Sequence, residues 1–90
     1  MGLSANMIKE LLVKELVFGV NRPQQWWDAH PEQQKIFEDI KESIKNDGME
    51  KPLEVTIDKR GYVVEVGNQR LRALLDLGMT TASCLVTKRI

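Results

Sequence analysis

Gly67-Asn68-Gln69-Arg70-Leu71-Arg72 is the stretch whose residue types and spacing could do chemistry. Glycine lets a ligand approach the backbone with no Cβ in the way. A helix that starts just after it leaves its first N–H groups without intrahelical acceptors, at the positive end of its dipole. Arg70 in the first turn adds a guanidinium to that spot. Such a corner holds an oxyanion, most often phosphate. Asn68 is expected to cap the helix and so consume one of those N–H groups. Arg72 lies about 200° around the helix from Arg70, at roughly 100° per residue. It is the more structural of the two, spaced to pair with Asp76. Pro23 biases Arg22 towards extended backbone, so Arg22 is either an exposed loop residue or a second cation aimed at the anion of Arg70. Arg72 and Lys51 are secondary candidates for the same site.

The elements that must position these residues are legible around them. Val63-Val64-Glu65-Val66 reads as a strand running into the glycine. Leu71, Leu74 and Leu75 mark one face of the helix, which Gly78 ends, with Met79 placed to pack back on Leu74. Upstream, Leu53, Val55 and Ile57 alternate with Glu54 and Thr56, and Asp58 and Gly61 suit the first and fourth positions of a type I turn. Residues 52–66 are therefore a hairpin. His30-Pro31-Glu32 opens a longer helix with Phe37, Ile40 and Ile44 at helical spacing and Ile36 beside them. Gly48 should end it in the left-handed helical conformation. A first strand is expected within 11–18, where the apolar period is ambiguous. A final strand is expected over Thr80–Thr87, and Trp26-Trp27 should lie in a loop. Residues 1–7 read as a flexible tail. The sum is one α+β domain over residues 1–90. It has a small mixed sheet of about four strands and two helices, ordered strand, helix, hairpin, helix, strand.

Composition narrows the function. The chain has 90 residues, with 13 Lys plus Arg against 13 Asp plus Glu. That balance lacks the basic excess of a dedicated duplex-DNA binder, so any DNA contact would need local clustering. A single cysteine, Cys84, forms neither an internal disulfide nor a zinc site. No apolar run approaches the roughly 18–20 residues of a membrane span. These features read as a cytoplasmic protein without a membrane partner.

The remaining reactive residue types weigh less. His30 has no Cys or Asp/His at ligand spacing and is expected to be a loop or cap residue. Cys84 is expected to be a small strand residue, buried or half buried, with no neighbour that would activate its thiolate. Glu50, Glu54 and Glu65 are the local carboxylates for a metal site, but alternation turns Glu54 and Glu65 outward. Lys59 and Arg60 sit at the hairpin tip, in solvent. Of Trp26 and Trp27, at least one should cover the core; the alternative is an aromatic platform for a base or a protein partner.

Two segments resemble the boxes of the ParB N-terminal domain family. Ser43 to Val55 resembles the first, a helix end, a glycine and a Pro-hydrophobic strand. Val66-Gly67-Asn68-Gln69-Arg70-Leu71-Arg72-Ala73 is similar to the second, which usually reads Gly-Glu-Arg-Arg-x-Arg-Ala. The resemblance covers about residues 30–90, and Arg22-Pro23 adds a weaker match. It implies the ParB/sulfiredoxin-like fold and nucleotide phosphates on the Gly67–Arg70 turn. It also implies a nucleoside triphosphate, CTP or ATP, with Mg²⁺, as ligand in a DNA-related process. Three departures matter. Sulfiredoxin's nucleophilic cysteine would stand where this chain has Asn68, so that chemistry is not supported. Partition proteins carry a glutamate there, and Asn68 cannot act as a base or bind Mg²⁺ as a carboxylate does. Gln69 replaces an arginine. Three readings follow: a phosphate-binding module with Gly67, Asn68, Gln69, Arg70 and Arg22 at its site; a metal-dependent ParB-like nuclease; and a degenerate member that binds a protein through Trp26 and Trp27.

Overall fold

A computed structural model describes residues 5–88. Five strands form one mixed sheet: β1 (Ala5–Leu12), β2 (Leu16–Phe18), β3 (Leu53–Asp58), β4 (Gly61–Val66) and β5 (Thr81–Lys88). Three helices complete the fold: α1 (Gln24–Asp28), α2 (Pro31–Asp47) and α3 (Asn68–Asp76). The strand order is β1-β5-β3-β4-β2, with β3–β5 and β2–β4 parallel and the other two pairs antiparallel. The expected α+β class and mixed sheet are present. The sheet has five strands rather than four, because a 3₁₀ turn at Val13–Glu15 cuts the first apolar stretch in two. That cut sends β1 and β2 to opposite edges of the sheet. Val13 is buried at the turn and its N–H donates to the Thr80 carbonyl at 2.9 Å. Residues 5–7, expected in a tail, begin β1 and pair with β5; residues 1–4 lie outside the described residues.

The hairpin forms where the alternation placed it, with Asp58 opposite Gly61. Leu53 and Val55 of β3 and Val64 of β4 face one side of the sheet, with Ala82, Cys84 and Val86 of β5. They pack with Leu71, Ala73 and Leu74 of α3, Phe37 and Ile44 of α2, and Trp27. Apolar burial of this kind is what opposes the chain's conformational entropy in so small a domain. Leu75, expected on the buried face, is 45 % exposed, and Ala73 takes the inward place. Ile57, at the end of its strand, is likewise exposed.

α2 starts as read, with His30 as N-cap residue, Pro31 in the first turn and Glu32 at the positive end of the dipole. Its stop differs in detail. Gly48 has φ 74° but ψ −176°, so it has a positive φ without the left-handed helical conformation. α3 ends as expected at Gly78: the Met79 N–H donates to the Leu74 carbonyl at 3.0 Å and the Gly78 N–H to Leu75 at 3.1 Å. At the hairpin tip, Asp58 accepts from the Arg60 backbone and guanidinium, and these bonds hold its carboxyl below its ordinary pKa. Arg60 is thus paired rather than merely solvated. Among the described residues, no helix is long and apolar enough to cross a membrane.

Cys84 is fully buried on β5, and burial, with the charge of Glu10 second, pushes its thiol above the ordinary value. The thiolate is the reactive form. Iodoacetamide should therefore leave Cys84 unmodified in the native protein and label it fully in denaturant, a contrast read by mass spectrometry.

Candidate functional site

β4 delivers the chain to Gly67, which sits at φ 105° and ψ 27° and serves as the N-cap residue of α3. The first intrahelical bond runs from the Leu71 N–H to the Gly67 carbonyl at 2.8 Å. The N–H groups of Asn68, Gln69 and Arg70 consequently have no acceptor within the helix. Among the described residues no side chain caps them. Asn68 was expected to do so and does not. It is the first helical residue, and its amide reaches across to the β2–α1 loop instead. Its Oδ1 accepts the N–H groups of Gly19 and Val20, at 2.9 and 3.2 Å, and its Nδ2 donates to the Val64 carbonyl at 3.0 Å.

Arg70 folds back over the glycine. Its Nη1 donates to the Lys51 carbonyl at 2.8 Å, with the Pro52 carbonyl at 3.5 Å. A Cβ on Gly67 would stand 2.9 Å from Arg70 Nη2 and 2.6 Å from Leu53 Cδ2. The guanidinium makes no ion pair among the described residues. Only one of its three nitrogens is committed to those carbonyls, so donors remain for an anion.

Two cavities flank the head of α3, and both have Asn68 and Gln69 in their walls. One, of 390 Å³, adds Ile40, Val66, Gly67 and Arg70. The other, of 340 Å³, lies towards α1 and includes Arg22, Trp26, Trp27, Gln33 and Arg72. No carboxylate lines either among the described residues. Arg22 and Arg70 are therefore brought to the same helix terminus but to different sides of it. A third cavity, of 430 Å³, continues from Arg70 and Lys51 along α2 past Ile40 to Ile36. Lys51 thus lines this more distant space and neither of the two at the head of α3, and what it gives Arg70 is its backbone carbonyl.

Arg72 has structural contacts besides its place in the second cavity, though not with Asp76, which faces Lys41 at 3.8 Å. Its guanidinium lies 5.2 Å from the Trp27 ring centroid, and its Nη1 donates to Asn21 Oδ1 at 3.4 Å. The two tryptophans are in α1 rather than a loop. Trp27 is 8 % exposed and belongs to the core. Trp26 is half-buried, stacked with His30 at 4.1 Å and carrying the Arg22 guanidinium at 4.7 Å. A base could use Trp26 as a platform only by displacing one of them. His30 also bonds the Trp26 carbonyl through Nδ1 at 2.6 Å, so it holds α1 against the start of α2.

Sequence reasoning missed Gly19, Asn21 and Gln33, all brought to the α1 side by tertiary contacts. Gly19 alone left a signal, a glycine directly after the apolar Leu16-Val17-Phe18. The acids of the nuclease reading do not gather. Glu54 is exposed, Glu65 accepts from Thr56 Oγ1 at 2.8 Å, and Glu50 lies in the third cavity. Among the described residues no three His, Cys, Asp or Glu side chains are placed to hold a metal ion. Cys84 lies on β5, away from both α3 cavities.

Known structures share this architecture. Sulfiredoxin from Arabidopsis thaliana superposes with a TM-score of 0.67 at 22 % identity, over 91 % of this chain and 85 % of that one. The C-terminally truncated chromosome-partitioning protein ParB from Caulobacter crescentus, complexed with CTP-γ-S, gives 0.65 at 20 % identity, over 89 % and 43 %. A free serine kinase in complex with AMP gives 0.66 at 18 %, over 88 % and 30 %. This chain therefore spans less than half of the partition protein and under a third of the kinase. At such identities the likeness establishes the fold. No curated protein sequence matches. The sequence profile of the ParB N-terminal domain matches residues 2–89, and with the strand order and the Gly67 turn it decides the family: the chain belongs to the ParB N-terminal domain family.

Proposed function

We propose that this domain binds the phosphates of a nucleoside triphosphate at the head of α3. The observation that carries the reading is the uncapped helix terminus: three N–H groups without intrahelical acceptors, with Arg70 on one side and Arg22 and Arg72 on the other. The CTP-γ-S and AMP bound by two structures of the same fold support it. The chain supplies N–H and guanidinium donors, which fit phosphate oxygens. Among the described residues no carboxylate lines either cavity, so an Mg²⁺ ion would be held by the nucleotide's own oxygens and water. Among the described residues the donors that line the two cavities suit binding of the phosphates, and we read the domain as a binding module on that ground. The larger DNA-related role suggested by partition proteins would belong to a longer assembly.

Calorimetry with CTP, ATP and pyrophosphate tests this. Binding should be measurable for at least one nucleotide and should persist in EDTA. Arg70→Ala should weaken it at least tenfold. Because Arg70 also bonds the Lys51 and Pro52 carbonyls, the same variant should lose about 1 kcal/mol of stability while keeping a native circular-dichroism spectrum. Absence of heat with every nucleotide, with and without Mg²⁺, would overturn the proposal.

A further inference from the structure

The loop that carries Arg22 is attached to the sheet only lightly. It leaves β2, a three-residue edge strand paired to β4 through Leu16, Val17 and Phe18. Beyond Phe18, the Asn68 side chain takes over the connection. It accepts from Gly19 and Val20 on the loop and donates to Val64 on β4. A carboxamide can accept twice through its oxygen and donate through its nitrogen; an ionised carboxylate cannot donate, and a hydroxyl is too short to span the three groups. Gly19 permits the approach, because a Cβ there would lie 2.4 Å from the Val64 carbonyl oxygen. Three residues on, the Arg22 guanidinium rests against Trp26. The loop is thus held twice, by its backbone at the first residue of α3 and by its arginine at α1.

We infer that Asn68 is a positioning residue, a latch that fixes the Arg22 loop to the head of α3 so that one ligand meets both. The inference rests on the phosphate-binding reading above. It gives Asn68 a role through its side chain that is separate from the anion-binding role of its backbone N–H. Releasing the latch removes Arg22 from the site without touching the helix terminus or Arg70.

Two measurements test it. Without nucleotide, amide exchange should show Gly19 and Val20 protected in the native chain and at least tenfold faster in Asn68→Ala, with the Leu71 amide unchanged. With CTP and ATP as probes, Arg22→Ala should weaken binding about tenfold in the native background. In Asn68→Ala it should cost less than twofold. Gly19→Ala, which pushes the loop off Val64 and leaves Asn68 in place, should give the same loss of additivity and serves if Asn68→Ala fails to fold. Equal cost of Arg22→Ala in all backgrounds would overturn the latch, as would fast exchange of Gly19 and Val20 in the native chain. If the native chain binds neither nucleotide, the phosphate reading fails and exchange alone decides the latch.

Discussion

Gly67→Ala should be severely destabilising and should remove nucleotide binding together with the fold's tight corner. The backbone there has φ 105°, and an added Cβ would meet Leu53 Cδ2 at 2.6 Å and Arg70 Nη2 at 2.9 Å. Leu53 is fully buried between its neighbours, so it cannot yield cheaply. A left-handed, overpacked position of this kind costs about 2–4 kcal/mol. That corresponds to a fall in Tm of roughly 10 °C or more for a domain of this size. Thermal melting read by circular dichroism checks it. A Tm within a few degrees of the native value would mean that the corner is looser than the contacts imply.

Trp27→Ala should be as damaging or worse. Trp27 packs its ring at 5.8 Å from that of Phe37 and lies inside the core cluster that joins α1 to α2 and α3. Truncating a buried Trp costs about 3–5 kcal/mol, a large part of the 5–15 kcal/mol that holds a typical domain. Trp27→Phe should cost clearly less than Trp27→Ala, because it keeps an aromatic ring in the site and removes a buried Nε1 that has no hydrogen-bond partner among the described residues. Denaturant unfolding of both variants separates ring packing from the indole N–H. Trp27, expected with Trp26 as a surface for a protein partner, is buried in the core instead. A binding loss in Trp27→Ala would report unfolding, whereas Trp26, half-buried and outside the fully buried core, is the residue to change for that purpose.

How much of this was legible in the sequence depends on the range of the interaction. The hairpin and α2 could be read because period-2 alternation at Leu53-Val55 and helical spacing at Phe37-Ile44 are local signals. The Gly67 turn was legible for the same reason, since a glycine between a β-rich run and a leucine-rich helix start is local chemistry. The split of the first strand was not. Leu11 to Phe18 is apolar at too many positions to show one period, and what fixes the turn at Val13 is a bond to Thr80, in the loop just before β5. Asn68 was misread as a cap because its three partners are at Gly19, Val20 and Val64, two of them nearly fifty residues away. Arg70 was read correctly as a first-turn cation, but its anchorage on the Lys51 carbonyl is a tertiary fact. Arg22 and Arg72 meet at one cavity because α1 folds over the end of β2, which no spacing in the sequence encodes.

The central claim concerns three backbone N–H groups, so the most direct measurement observes them. Titrating ¹⁵N-labelled protein with CTP and with ATP and following amide chemical shifts would do so. Saturable shifts should be largest at Asn68, Gln69 and Arg70, with the Arg22 side chain responding alongside. Shifts centred on Ile36, Met49 and Lys51, or no shift with either nucleotide, would contradict the account.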